Sequence, residues 1–529
     1  MKKMKKLFAL VATVATCLAL GATSVNAEGE ETPTTYSVTI NNATGTYEIY
    51  QVFSGDLTVE GETKTLSNVQ WGKDVNEFTY TTKDATGTEQ ATTSNVASEI
   101  AEYLATKTND STVAKDFAEK AIANVKTNPA SSSGTATATE GKATFSSLAA
   151  GYYVVRNTSV GTEESYTKYI LQVVGNVEVN NKASVPSFEK KVKDTNDSTG
   201  DTSDWQDSAD YDIGDEVPFQ LTGTVASTYD SYKQYYFAFH DVEEQGLTFK
   251  EIKSVYVLNG KIKTELNSTD YTLKTTELTD GCTFEVIFSN LKNITAVKGG
   301  SKIVVEYTST LNDKAEVGNQ GNVNKAKLEF SNNPNEEQSG ETKPRTGETP
   351  WDNVIVFTYK TVINKVDADE NALAGAKFTL KKVKVDSEGK STGEVVKTYE
   401  YSEKDTVGTT TFTFNGLDDG TYVLEETETP SGYNTIEPIT FTVNADHTIT
   451  WDGTNRTDVL TSLTGTKVTG EITLTPSEDK GTLSTNVINK KGTILPSTGG
   501  IGTTVFYVTG AILMLGAGVL LVSRKRVSK

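Results

Sequence analysis

The chain has 529 residues, with 50 Lys+Arg against 70 Asp+Glu. A net charge of −20 disfavours nucleic acid and anionic lipid as partners. There are two histidines, His240 and His447, far apart in sequence; this argues against His-based metal sites and Ser/His or Cys/His catalysis. We therefore expect no metal, no cofactor and no enzyme.

At the N-terminus Lys2, Lys3, Lys5 and Lys6 precede an apolar run over residues 7–20, and Val25-Asn26-Ala27 offers small-residue cleavage before Glu28. Residues 1–27 read as an export signal. Cys17 leaves with it, so Cys282 has no intramolecular partner. An exported chain without a disulfide is cross-linked in another way or not at all.

From there on, Thr, Val, Tyr and Phe recur in short alternating runs separated by Gly, Asn, Asp and Pro. This predicts an all-β protein of serial Ig-like sandwiches. The first unit spans 28–181, with strands at 36–40, 46–53, 142–148, 152–156 and 169–179. Between them Val96, Ile100 and Leu104, then Val113, Phe117, Ala121 and Val125, repeat every four residues and predict two helices packed on the sandwich. Ser94 or Asn95 is expected to cap the first.

The second unit spans 184–358, with strands at 216–222, 235–241, 254–258, 284–288, 303–308, 325–330 and, after a Pro- and Glu-rich loop, 353–359. The third spans 360–491, with strands at 362–367, 377–383, 412–417, 422–426, 440–443 and 485–489. Ile363 with Lys365, Tyr422 and Leu424 with Glu426, and Val487 with Asn489 each share one strand face. A buried Lys, Glu and Asn together are unfavourable unless they react. Burial lowers a Lys pKa and raises a Glu pKa, so a neutral amine could attack the Asn carboxamide while the acid shuttles protons and ammonia leaves.

The last segment, 495–529, reads Leu495, Pro496, Ser497, Thr498, Gly499, then an apolar run over 501–522, then Arg524, Lys525, Arg526 and Lys529. The 22-residue run would be about 33 Å long as a helix, enough to cross a bilayer core of roughly 30 Å. The basic tail stays cytoplasmic. Without the eight basic residues of the two ends, which hold no acidic ones, the net charge is −28.

This arrangement resembles the LPxTG cell-wall sorting signal of Gram-positive surface proteins. The resemblance implies a sortase that cuts between Thr498 and Gly499 and joins the Thr carboxyl to an amine, with transient membrane anchoring and a final place in the cell wall. Lys365-Val366-Asp367, Leu373 to Ala376 and the run from Tyr422 to Tyr433 resemble the collagen-adhesin B-type domains of Gram-positive pilins, the last run matching their "E-box". That likeness implies an isopeptide bond from Lys365 to Asn489, assisted by Glu426. Asn486 is an alternative acceptor on the opposite strand face.

The second unit is similar to the middle domain of three-domain backbone pilins. By order and spacing its bond joins Lys190 to Asn324 with Asp241 as acid; Lys191 or Lys193, Asn322 and Asp215 compete for these roles. The first unit has no E-box, because Arg156 stands where the acid is expected, and no bond is assigned to it. In polymerising pilins a junction lysine attacks the sortase acyl-enzyme. Lys182 has that place, without the family's preceding Tyr-Pro pair, and Lys360 is the next candidate. The expected function is that of a sortase-assembled major pilin, a shaft subunit of a head-to-tail polymer attached to peptidoglycan, with host surface ligands as further partners. The alternative is a monomeric wall-anchored adhesin.

Overall fold

The computed structural model describes residues 34–492, apart from 62, 85, 108–111, 128–132, 182, 279, 337–342, 402–407, 448, 453–454 and 458–459, together with 513–514. The export signal, Lys182, the Leu495 to Gly499 motif and nearly all of the apolar run lie outside the described residues. Among those described, no helix is long and apolar enough to cross a membrane.

Alternation of apolar and polar side chains builds the protein from packed pairs of sheets. In the N-terminal part, Val177–Asn180, Tyr36–Asn41 and Lys142–Leu148 form one sheet, and Thr63–Trp71, Thr46–Glu60, Gly151–Ser159 and Lys168–Val173 form the core of the other. The expected helices are present as Ala97–Leu104 and Thr112–Ala123. They bury Ile100 and Phe117 against Phe53, Phe78 and Tyr80, so the four-residue repeat is a packing face. The N-cap position is Val96, not Ser94 or Asn95. Ser94 still helps, because its Oγ accepts from Val96 N at 3.0 Å. Arg156, at the position an acid would take in an E-box, pairs with Glu48 at 3.2 Å.

In the middle part, Ser187–Val192, Glu216–Thr224, Lys302–Leu311, Leu247–Asn259 and Ile262–Glu265 form one sheet. The facing sheet runs Ser208–Asp210, Asp352–Phe357, Asn322–Ser331, Phe237–Glu243, Phe284–Phe288 and Thr272–Lys274. Between them lies an aromatic core that includes Phe219, Phe237, Phe239, Phe284 and Tyr307.

In the C-terminal part, Tyr359–Val366 sits between Thr411–Leu417 and Thr482–Ile488. The facing sheet runs Ser391–Tyr399, Lys377–Val385, Gly420–Glu428, Ile439–Asp446 and Ser462–Lys467. The pairing of Tyr359–Val366 with Thr482–Ile488 is parallel, from Lys360 opposite Thr482 to Val366 opposite Ile488. The first and last strands of this unit are therefore neighbours, and residues at their C-terminal ends share one end of the core.

Candidate functional site

Strand alternation decides which polar side chains enter these cores. Along Tyr359–Val366 the residues Tyr359, Thr361, Ile363 and Lys365 are buried, and Lys365 is 0% exposed. Its amine donates to the carbonyls of Val366 at 2.9 Å and Val487 at 3.0 Å. Burial pulls its pKa down to about 8, against the opposing charges of Glu426 and Asp367.

Asn489 follows the last strand directly and is also 0% exposed. Its backbone N–H donates to Val366 O at 3.1 Å, the same carbonyl that holds the Lys365 amine. Its Nδ2 donates to Glu426 Oε1 at 2.9 Å, Glu426 Oε2 at 3.0 Å and Asn434 O at 3.0 Å. Glu426 crosses from the facing sheet, is half-buried, and is fixed by Ile436 N–H at 3.1 Å. The loop after the E-box strand thus supplies both the carboxylate's donor and a second acceptor for the carboxamide. Asn486 is exposed and faces away, which removes it as an alternative acceptor.

The middle site is fully enclosed. Lys190, Asp241 and Asn324 are each 0% exposed. Lys190 Nζ lies 2.5 Å from Asp241 Oδ2 and donates to the Tyr307 hydroxyl at 2.7 Å. That hydroxyl donates to Asp241 Oδ2 at 2.8 Å and accepts from Asn324 Nδ2 at 2.9 Å. Tyr307 therefore bridges amine, acid and carboxamide.

A second carboxylate, Glu243, reaches Asn324 Nδ2 at 3.5 Å. Burial and the Asp241 charge raise its pKa to about 7. Burial lowers Lys190 and raises Asp241, so the low-dielectric pocket favours a neutral amine beside a neutral acid. The competitors lie elsewhere. Lys191 pairs with Asp207, Lys193 covers the Trp205 ring, Asp215 pairs with Lys397, and Asn322 holds Glu316 and Val356 main-chain atoms.

Both sites can do the same chemistry. The Lys nitrogen attacks Asn Cγ, the Cγ–Nδ2 bond breaks, ammonia leaves, and the carboxyl takes the amine's proton and gives it to the leaving nitrogen. In both, the Asn nitrogen sits on acceptors, while Oδ1 of Asn324 and of Asn489 is buried and has no hydrogen-bond partner among the described residues.

Tyr307 and Glu243 were not anticipated. Asp241 and Glu243 alternate onto one face of one strand, a signal present in the sequence; a core tyrosine carries no such mark. Also unanticipated is a buried cluster where the middle and C-terminal parts meet. Lys382 contacts Asp418 of its own part and Asp212 of the middle part, the latter at 3.2 Å, with all three 0% exposed.

Three families match the chain. Residues 213–334 match the Gram-positive pilin backbone subunit 2, Cna-B-like domain; residues 360–457 match the SpaA prealbumin-like fold domain; residues 488–529 match the LPXTG cell wall anchor motif. The chain is similar to the trypsin-resistant surface T6 protein of Streptococcus pyogenes, at 26% identity over 73% of this chain and 81% of the relative. Its fold is similar to that of the T6 backbone pilin of serotype M6 Streptococcus pyogenes, a modular three-domain structure, with a TM-score of 0.51 and 18% identity, covering 88% of this chain and 100% of that one. The full-length major pilin SpaD of Corynebacterium diphtheriae has a TM-score of 0.44 and 19% identity, covering 87% of this chain and 98% of that one. The chain thus carries in its middle the domain of a Gram-positive pilin backbone subunit and at its end the motif of a cell-wall-anchored surface protein.

Proposed function

We propose that this chain is a backbone pilin that polymerises head to tail and hardens itself with two internal amides. Sortase cuts between Thr498 and Gly499 and transfers the Thr498 carboxyl to a lysine of the next copy. Peptidoglycan receives the final subunit, and the apolar run holds each chain in the membrane until then. Three β units, 28–181, 184–358 and 360–491, carry the load.

Lys182 is the attacking lysine. In support, it falls in sequence between the strands Val177–Asn180 and Ser187–Val192, where the first unit gives way to the second. Lys360 is a poorer choice, since its main chain is locked between two strands.

The internal amides are Lys365–Asn489, assisted by Glu426, and Lys190–Asn324, assisted by Asp241. One observation carries this reading: a buried amine whose pKa is brought to about 8, beside a carboxamide whose nitrogen is gripped by a carboxylate. The test is intact mass of the mature protein, which each amide lowers by about 17 Da through loss of ammonia. A full sequence mass overturns both amides. A single band in boiled wall extracts, in place of a high-molecular-weight ladder, overturns polymerisation.

A further inference from the structure

On the face of Phe237–Glu243 opposite Asp241, four side chains of different chemistry converge. His240 points there by strand alternation. Asp280 and Cys282 are delivered by a turn through Gly281, whose φ of +80° suits glycine. Glu285 comes from the strand Phe284–Phe288. One donor atom from each, His240 Nδ1, a carboxylate oxygen of Asp280 and of Glu285, and Cys282 Sγ, all lie within 4.8 Å of one another.

From His240 Nδ1 the distances are 2.7 Å to Asp280, 3.5 Å to Glu285 and 3.8 Å to Cys282. Tetrahedral Zn²⁺, with bonds of about 2.0–2.3 Å, sets its ligands roughly 3.3–3.8 Å apart. Two of the three separations already match, and Asp280 needs to withdraw by about half an ångström. Asp280 is the exposed member and so can move, whereas His240, Cys282 and Glu285 are buried.

A second observation points the same way. The other ring nitrogen of His240, Nε2, lies 3.2 Å from Glu329 Oε2. Glu329 is itself held by Lys343 at 2.6 Å and by the Thr346 hydroxyl at 2.5 Å. A fixed carboxylate behind the ring is the usual support of a metal-ligating imidazole, because it sets the tautomer that leaves the facing nitrogen as a ligand.

The rival arrangement, an imidazolium caged by carboxylates, sets one positive ring against Asp280, Glu285 and Glu329 and leaves the Cys282 thiol to donate to Asp280. A dication satisfies all four donors. The thiolate and imidazole select a borderline ion of the Zn²⁺ class over Ca²⁺ or Mg²⁺. We propose that His240, Asp280, Cys282 and Glu285 bind one divalent transition-metal ion of this class, with Glu329 orienting the imidazole. Binding displaces the thiol proton of Cys282 to solvent and ties the strands Phe237–Glu243 and Phe284–Phe288 to the intervening turn.

The test titrates the full chain with Co²⁺. The expected result is a thiolate-to-cobalt charge-transfer band with tetrahedral d–d absorption, saturating at about one ion per chain, as one four-donor site requires, and displaced by Zn²⁺. Cys282→Ser removes the charge-transfer band, and His240→Ala removes tight binding. Glu329→Gln keeps the band but weakens affinity roughly ten- to hundred-fold, the usual cost of losing the outer partner. Melting in EDTA verifies that each variant folds. If a buried substitution prevents folding, the exposed Asp280→Asn takes its place and is expected to weaken binding. Folded wild-type protein that shows no thiolate band at tenfold excess Co²⁺ overturns the site, as does a band that survives Cys282→Ser.

Discussion

Replacing Glu426 by Ala removes the carboxylate that grips the Asn489 nitrogen with two oxygens. The third-unit amide should then fail to form, and the mature variant should weigh about 17 Da more than its own sequence would weigh with that amide in place. The structure also sets the size of the stability loss. A Lys365–Asn489 link closes a loop whose ends are 124 positions apart. On the chain-entropy account of cross-links, closing such a loop is worth about 5 kcal/mol. A unit of residues 360–491 unfolds with an entropy near 0.28 kcal/mol/K, at about 2.1 cal/mol/K per residue, so the loss corresponds to roughly 15–20 °C in Tm.

Intact-mass spectrometry and calorimetry of the third-unit transition read the two quantities. Glu426 also accepts from Ile436 N–H and the Thr429 hydroxyl, so Glu426→Ala loses turn contacts as well. Asn489→Ala keeps that carboxylate and isolates the amide, and Glu426→Gln removes the acid with little change of shape. A Glu426→Ala protein that still falls short of its own sequence mass by the ammonia of the third-unit amide refutes Glu426 as the proton shuttle. Bond-free variants that melt within a few degrees of wild type refute the cross-link account of stability.

In the middle unit, Asp241→Asn is expected to restore about 17 Da, and Tyr307→Phe to slow the reaction by cutting the bridge from amine to carboxamide, both followed by mass against time. Lys182→Ala should collapse the wall-extract ladder to monomer on an immunoblot; a normal ladder moves the attacking role to another lysine. Lys382→Met strands Asp418 without its cation and leaves Asp212 only the more distant Lys397 at 3.9 Å, and should cost about 3–5 kcal/mol in denaturant unfolding; a loss under about 1 kcal/mol refutes the buried triad. Asn489→Ala leaves a free Lys365 amine whose folded pKa of about 8 lies below the unfolded value near 10.4. The unfolded state then binds more protons between these values, so stability rises with pH across that window and the penalty is fully present below it. Melting relative to the double variant Lys365→Met/Asn489→Ala reads this one amine, and a flat difference from pH 8 to about 10.4 refutes its depressed pKa.

The third unit was legible because its pattern is redundant. Alternation alone puts Ile363 with Lys365 and Leu424 with Glu426, and the parallel ladder brings Asn489 to the same end of the core. The middle unit was legible only as far as strand faces go. Lys190 was separable from Lys191 and Lys193 by its phase with Phe188 and Val192, but pairing across two sheets decides which acid meets it, and no local signal carries that. The first helix start was misplaced because Ser94 satisfies a backbone N–H outside the capping position. Lys382 follows Phe378 and Leu380 in phase and was readable as buried; its partner Asp212 lies 170 positions away and was not. The histidine count argues against a His-based metal site, and the proposed four-donor set accordingly uses one imidazole with sulfur and carboxylate neighbours.

The proposed amides also divide the chain mechanically. In the third unit tension enters along Tyr359–Val366 and leaves past Asn489, so an amide from Lys365 takes everything between those two residues out of the load path. In the middle unit the link from Lys190 to Asn324 encloses the strands up to Lys302–Leu311 but leaves residues 325–364 as the one uncrosslinked stretch between the two closed loops. The buried cluster spans that gap. Asp212 lies inside the first loop, Lys382 and Asp418 inside the second, and Lys397 meets Asp215 at 3.0 Å alongside them. Asn196 meets Asp419 at 2.8 Å across the same junction. These contacts join loop to loop in parallel with the connecting strands, so a pull on the chain must break buried ion pairs before it can draw out the stretch that no amide protects.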